Sequence, residues 1–250
     1  MNIDTQYHIL DNLTALETQA LQQFRNHPIA KEIKDEQLMI YLFAKKLDVE
    51  KAALVLTNNL ELRKKLSIPF PVRKSDLNLE VAKKNYSFSI YGMKDKMGRS
   101  IAYLYPAKIV PKDYSLKDMI TFMLWNLDTT CYTSSQQHRL GIVIVEDLKH
   151  MSIFKHFDNR LKAQLDGKSM ENIFPGRIQG IYLLNSPFYI KPLLSLAKKF
   201  IKNKILARVQ YFPKSDRLEE FIDPSQLLKE YGGSLEFDLN SWIDSLPSNY

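Results

Sequence analysis

The chain has 250 residues, 45% of them apolar and 25% charged, with a formal net charge of +7. That length accommodates one large domain, or a small helical domain ahead of a larger one, and the balance is that of a water-soluble globular protein. No stretch of about eighteen uncharged apolar residues exists, which excludes a membrane-spanning helix. Met1-Asn2-Ile3-Asp4 has neither the basic start nor the apolar core of a secretory signal. The single cysteine, Cys131, cannot form an internal disulfide, which fits a reducing cytoplasm as the expected location. No glycine-rich phosphate loop and no paired Cys/His spacing occurs, so neither a metal nor a cofactor is expected.

The first seventy residues carry helical patterns. Leu16, Ala20, Leu21 and Phe24 share one face of a helix over Leu13 to Phe24. Asp35-Glu36-Gln37 leads into Leu38, Ile40, Tyr41, Leu42 and Ala44, and Asp48 is placed to cap a helix from Val49 to Leu56. Ile68-Pro69-Phe70-Pro71 breaks the pattern and reads as a linker. A helical domain over residues 1–75 and a second domain over 76–250 are therefore expected.

Period-two alternation follows. Tyr86 to Tyr91, the turn Asp95-Lys96-Met97-Gly98-Arg99 and Ile101 to Tyr105 form a hairpin signal. A helix over Leu116 to Tyr132 precedes the apolar strand Gly141-Ile142-Val143-Ile144-Val145. Helical sequence from Ile153 to Asn172 precedes a second buried strand at Gly180 to Leu184. A helix from Phe188 to Leu206 precedes a last strand at Val209-Gln210-Tyr211. Strands alternating with helices indicate an α/β fold with a mixed sheet.

Charge is unevenly distributed. No acidic residue lies between Glu171 and Asp216, whereas Arg177, Lys191, Lys198, Lys199, Lys202, Lys204, Arg208 and Lys214 do. A localised basic patch fits an anionic surface, either membrane or nucleic acid. Within it, Ile190, Leu193, Leu194, Ala197, Phe200 and Ile201 fall on one helical stripe, with Lys191, Ser195, Lys198 and Lys202 opposite. Such a helix packs on a sheet, closes over an apolar cavity, or lies on an anionic membrane. Nucleic acid is the poorer partner, because the segment lacks the interleaved aromatics of a single-strand platform.

Phe174-Pro175-Gly176-Arg177-Ile178-Gln179-Gly180-Ile181-Tyr182-Leu183-Leu184-Asn185-Ser186-Pro187 resembles the FPxxxxGIxLIN-P stretch of CRAL-TRIO domains. Leu228 to Gly233 resembles the closing LPxEYGG element of that family, and Tyr41 to Ala52 resembles the FLRARxFDxxxA signature of its helical companion domain. Asp95 to Arg99, Arg139-Leu140-Gly141 and Asp147-Leu148 fall in the expected order. The resemblance covers about residues 8 to 245 and is nearest to the α-tocopherol transfer and retinaldehyde-binding branch.

The resemblance implies a helical N-terminal bundle followed by a mixed sheet whose helices enclose one lipid in an apolar cavity. It implies a carrier rather than an enzyme. Its partners would be a hydrophobic lipid and an anionic membrane touched transiently, with no nucleic acid, and it would be a monomer. The helix after Asn185-Ser186-Pro187 would be the gate, formed by the stripe from Ile190 to Ile201. Strand alternation sends Ile142, Ile144 and Glu146 to one side and Val143 and Val145 to the other. By resemblance the first set faces the ligand with Ile181 and Leu183, and Phe122, Leu124, Trp125, Asp128 and Phe174 join them on the cavity wall; Glu146 alternatively forms a solvated strand end, since one residue of register moves it off that face. Lys45, Arg177, Lys204 and Arg208 match the basic positions that resemble a phosphoinositide headgroup site in the tocopherol-transfer branch. Gly176 stands where the yeast phosphatidylinositol-transfer branch carries a glutamate, which departs from inositol binding of that kind. The competing readings are an enzyme using one of five histidines, and an interaction module with the same fold and little transfer activity. No nucleophile elbow supports the first.

Overall fold

The computed structural model describes residues 8–84, 87–156, 158, 160–186, 190, 203–212 and 215–250. Helix α1 (Ala15–Arg25) starts at a capping box: the Thr14 hydroxyl accepts from the Glu17 amide, and the Glu17 carboxylate accepts from Thr14 N. Helix α2 (Asp35–Ala44) is buried continuously from Gln37 to Phe43, so it runs through packed protein rather than over a surface. Asp48 caps α3 (Val49–Leu66) and accepts from Lys51 N at 3.0 Å, as its position in the sequence predicts. That helix continues beyond Leu56 because Asn58, Asn59, Leu62 and Arg63 keep its buried face going. Helix α4 (Leu79–Lys84) follows the proline-rich break.

The sheet is β1 (Ser87–Lys94), β2 (Ser100–Leu104), β3 (Ile142–Asp147), β4 (Ile178–Leu184) and β5 (Val209–Phe212), in that spatial order. The first pair is antiparallel and the others are parallel, giving the mixed sheet expected. Asp95 builds the hairpin turn by accepting from Met97 N and Arg99 N at 3.0 and 2.8 Å. Helices α5 (Leu116–Asp128) and α6 (Ser135–Leu140) connect β2 to β3. Between β3 and β4 the expected helix over 153–172 is replaced by short pieces, α7 (Ile153–His156), α8 (Arg160–Gln164) and the turn Met170–Asn172. The break has a backbone cause: Asp166 and Gly167 both take positive φ, which an α-helix does not admit.

Strands β2 to β5 are consecutive and parallel, so right-handed connections put the crossover helices on one face of the sheet. The opposite face presents Tyr103, Val143, Val145, Tyr182 and Phe212 and is covered by the segment 215–231. Tyr103 stacks on Tyr231 with centroids 5.9 Å apart and donates its hydroxyl to Gln226 O at 3.2 Å. Tyr182 meets Phe212 and Phe221, each at 5.4 Å. A Cβ on Gly233 would sit 1.9 Å from Leu227 O, and Gly232 takes a φ of +93°, so each of the paired glycines that close this cover has its own reason.

One apolar core runs from α1 through α5 to Tyr250. Inside it Arg63 and Asp128 form a buried ion pair at 2.7 Å. The remaining donors and acceptors are taken: Arg63 Nε donates to Asn59 Oδ1, Nη1 donates to Pro69 O, and Val72 N donates to Asp128 Oδ2. A buried pair persists only when its other polar atoms are satisfied in this way. Among the described residues no helix is long and apolar enough to cross a membrane.

Candidate functional site

The crossover face of the sheet is built by alternation. Along β3 burial alternates, with Ile142, Ile144 and Glu146 half-buried and Val143, Val145 and Asp147 buried. The parallel register sets Ile144 between Ala102 and Ile181, and Glu146 between Leu104 and Leu183. Val209 continues the row beside Ile181. Ala102, Leu104, Ile181 and Val209 are half-buried too. Ala102, Leu104 and Val209 were absent from the sequence-derived set, although the alternation of β2 carries the same signal as that of β3. At the carboxyl ends of the strands, Leu183 packs with Leu148 and Ile190 in a small cluster joined by Met151, Ile181 and Val209. Ile190 is the described member of the expected gate. Leu193, Leu194, Ala197, Phe200 and Ile201 lie outside the described residues, as do Lys191, Lys198, Lys199, Lys202 and Lys214.

Helix α5 divides into two sides. Ile120, Phe122, Leu124, Trp125 and Asp128 are buried on one side, whereas Leu116, Met119, Met123 and Leu127 form a half-buried stripe on the other. Leu127 and Ile142 line one depression together with Phe43 and Ala44 of α2. All four stripe residues pack against the large core. Phe122, Leu124, Trp125 and Asp128, expected on the cavity wall, are buried where α5 meets the helical part of the chain and the C-terminus. Trp125 packs on Trp242 at 5.9 Å and donates Nε1 to Tyr250 O, Phe122 stacks on Trp125, and Asp128 holds Arg63. Phe174 is likewise buried in the large core, after a loop whose carbonyls at Asn172 and Ile173 accept from Asn58 and Asn59.

The carboxyl of Glu146 lies in the sheet between Leu104 and Leu183. Burial alone acts on it and pushes its pKa up to about 7. Glu17, Asp95, Asp128 and Asp147 are the carboxylates of the buried class, and each holds a donor: Arg139, Arg99, Arg63 and Asn185 in turn.

Basic residues gather at the amino end of β4. Lys45 donates Nζ to Glu171 O at 2.5 Å. Arg208 donates to Ile178 O, the residue after Arg177, whose own carbonyl accepts from Ile142 N at 3.0 Å. Arg177 lines the depression beside Ala44, and its Nε is buried without a hydrogen-bond acceptor among the described residues. Lys204 is exposed on the short helix Asn203–Leu206, one turn before Arg208. Gly141 fits the same junction: its φ is +86°, and a Cβ there would meet Arg177 O at 2.4 Å.

The CRAL/TRIO domain family matches residues 83–233. A CRAL-TRIO domain-containing protein of Dictyostelium discoideum is 47% identical over 250 residues, covering 99% of this chain and 97% of that protein. The alpha-tocopherol transfer protein-like protein of Homo sapiens is 26% identical over 238 residues, or 93% of this chain and 68% of its own length. Clavesin-2 of Mus musculus is 28% identical over 157 residues, 61% of this chain and 47% of its own. The crystal structure of Sfh5 superposes with a TM-score of 0.58 at 17% identity, covering 100% of this chain and 93% of that one, a likeness of fold. With its mixed sheet, its glycine-closed C-terminal cover and these matches, the chain belongs to the CRAL/TRIO domain family, whose members in general bind and transfer lipids.

Proposed function

We propose that the protein encloses one lipid between the crossover face of its sheet and the helices above it, and exchanges that lipid at an anionic membrane. The observation that carries this reading is the contrast between the two faces of one sheet. Val143, Val145 and Tyr182 on the far face are 0–1% exposed. Ile142, Ile144 and Ile181 on the crossover face are only half-buried, and Met119, Met123 and Leu127 of α5 are half-buried too. A strand face whose apolar side chains stay half-buried suits a lipid chain, whose burial is worth about 0.8 kcal/mol per methylene. Methionine, unbranched and polarisable, adapts to such an occupant.

The gate is the segment that leaves the sheet after Asn185-Ser186-Pro187, with Ile190 seated on Leu183 in the closed form. Lys45, Arg177, Lys204 and Arg208 meet the phosphates of the membrane, phosphoinositides included. The unpartnered Nε of Arg177 supports this, because a buried N–H without an acceptor favours an incoming anion. The name of the human tocopherol-transfer-like relative supports a transfer role. Binding and release need no covalent step, only two gate states close in free energy at a membrane.

The test is native mass spectrometry of the gently purified protein, followed by extraction and identification of the lipid. One lipid per chain is the expected result. A protein that is empty and takes up no lipid from vesicles is instead an interaction module built on this fold.

A further inference from the structure

Three consecutive carbonyls ahead of β4 are each held by a side chain from the helical part of the chain. Lys45 donates Nζ to Glu171 O at 2.5 Å, Asn58 donates Nδ2 to Asn172 O at 2.9 Å, and Asn59 donates Nδ2 to Ile173 O at 3.0 Å. Asn58 and Asn59 are only 7% and 0% exposed. Both polar atoms of the Asn59 amide are in use, because its Oδ1 accepts from Arg63 Nε at 2.6 Å. Arg63 is paired with Asp128, so this row of carbonyls is tied to the ionic seam of the core.

The segment depends on such ties. Asp166 and Gly167 take positive φ just before it, and its own backbone bonds are local: Asn172 N donates to Ser169 O, while Ile173 N and Phe174 N donate to Met170 O. Two ion pairs also join it to α3, Lys65 with Asp166 at 3.2 Å and Lys168 with Glu61 at 2.8 Å. Both pairs are largely exposed, and such pairs hold little. Buried amide-to-carbonyl bonds are directional and costly to leave unmade, so they set the register of the segment against α3.

That register fixes the spacing of two cations. Lys45 stands at the end of α2, whereas Arg177 follows Ile173 by four residues and immediately precedes β4. They reach the basic cluster from opposite sides of the junction between helices and sheet. A phosphate that takes hydrogen bonds from both requires both in place at once.

We propose that Asn58 and Asn59 are positioning residues for anion binding: by holding the carbonyls of residues 172 and 173 they set Lys45 of the helical part against Arg177 of the sheet. The inference rests on the headgroup reading given above and deepens it. The site is then a composite one, assembled across the junction rather than carried by the basic segment alone.

The experiment is a mutant cycle. Binding to phosphatidylcholine vesicles doped with a phosphatidylinositol bisphosphate is measured by sedimentation for wild type, Asn58→Ala with Asn59→Ala, Lys45→Ala with Arg177→Ala, and all four changes together. Near-UV circular dichroism confirms the fold of each variant. Asn58→Ala alone, which leaves the Asn59 bond to Arg63 intact, replaces the asparagine pair if the pair does not fold. The asparagine changes are expected to weaken binding about fivefold in the wild-type background, as for coupled side chains of one network, and to have no further effect once Lys45 and Arg177 are gone. Unchanged binding, or the same loss in both backgrounds as a merely structural role predicts, overturns the proposal and leaves the headgroup reading standing. Wild-type binding by Lys45→Ala with Arg177→Ala removes the headgroup reading, and the proposal with it.

Discussion

Asn185 donates its Nδ2 to Oδ1 of Asp147 across 2.8 Å, tying the end of β4 to the end of β3 where the chain leaves the sheet. The same oxygen accepts from Lys149 N at 2.9 Å, and Asn185 takes a φ of +50°, a left-handed conformation that asparagine tolerates and alanine does not. Asn185→Ala therefore loses a hydrogen bond and adds backbone strain, about 2 kcal/mol together. Asn185→Gly loses only the bond and should cost about 1 kcal/mol. Urea unfolding of both variants checks the order, and equal losses would remove the conformational part.

The buried pair of Arg63 and Asp128 makes a second prediction. Asp128→Ala or Arg63→Ala strands a charge in the core and should destabilise by about 3–5 kcal/mol. Replacing both with apolar residues of similar volume, Arg63→Met with Asp128→Leu, should recover much of that loss. A double-mutant cycle by chemical denaturation measures it, and additive losses would contradict a coupled pair.

Two groups make pH-dependent contributions of opposite sign. His138, stacked on Phe43 with Nε2 donating to Thr130 O at 2.8 Å, is held by burial at about 4, below its ordinary 6.5. As pH falls from 6.5 to 4 the unfolded chain takes up a proton that the folded one refuses, so stability is lost, at most on the order of 3 kcal/mol. Glu146, raised to about 7 from 4.5, does the reverse: its contribution is intact below 4.5 and is lost as pH rises to 7. In the lipid-free protein the two slopes oppose each other between those limits. Glu146→Gln should uncover a stability that rises with pH, and His138→Gln one that falls. Thermal melts at pH 4.5, 5.5, 6.5 and 7.5 read both slopes, with parallel curves for the two variants as the contrary result.

Membrane docking is tested with Lys204→Ala combined with Arg177→Ala, which spares Arg208 and its bond to Ile178 O. Two cations near an anionic surface are worth about 2 kcal/mol, so binding to phosphoinositide vesicles in a sedimentation assay should fall roughly thirtyfold at low salt. The difference should shrink as salt is added. Unchanged binding would move the contact surface elsewhere on the molecule.

The succession of strands and helices, the hairpin turn at Asp95 and the cap at Asp48 were legible in the sequence because each is a local pattern. Alternation in β3 likewise separated Ile144 and Glu146 from Val143 and Val145. Helix α5 was not legible in the same way. Its apolar residues take up most of its circumference, so Met119 and Met123 look no more like a wall than Phe122 or Trp125. What decides the face is Arg63, 65 residues before Asp128, together with Trp242 and Tyr250 far downstream. The interrupted helix after Ile153 was missed for a different reason. The left-handed turn at Asp166-Gly167 is cheap for that pair and leaves only a faint compositional trace.

The alternation of the strands has an evolutionary reading. Every second residue of β3 and β4 is committed to the packing that holds the molecule together, through Tyr182, Phe221 and their neighbours. The residues between them touch none of that packing. A lineage can therefore exchange Ile144, Glu146 or Ile181 and alter what the chain carries while the tyrosine stack and the buried ionic seam persist. Cargo and scaffold are spelled in alternate letters of the same strands.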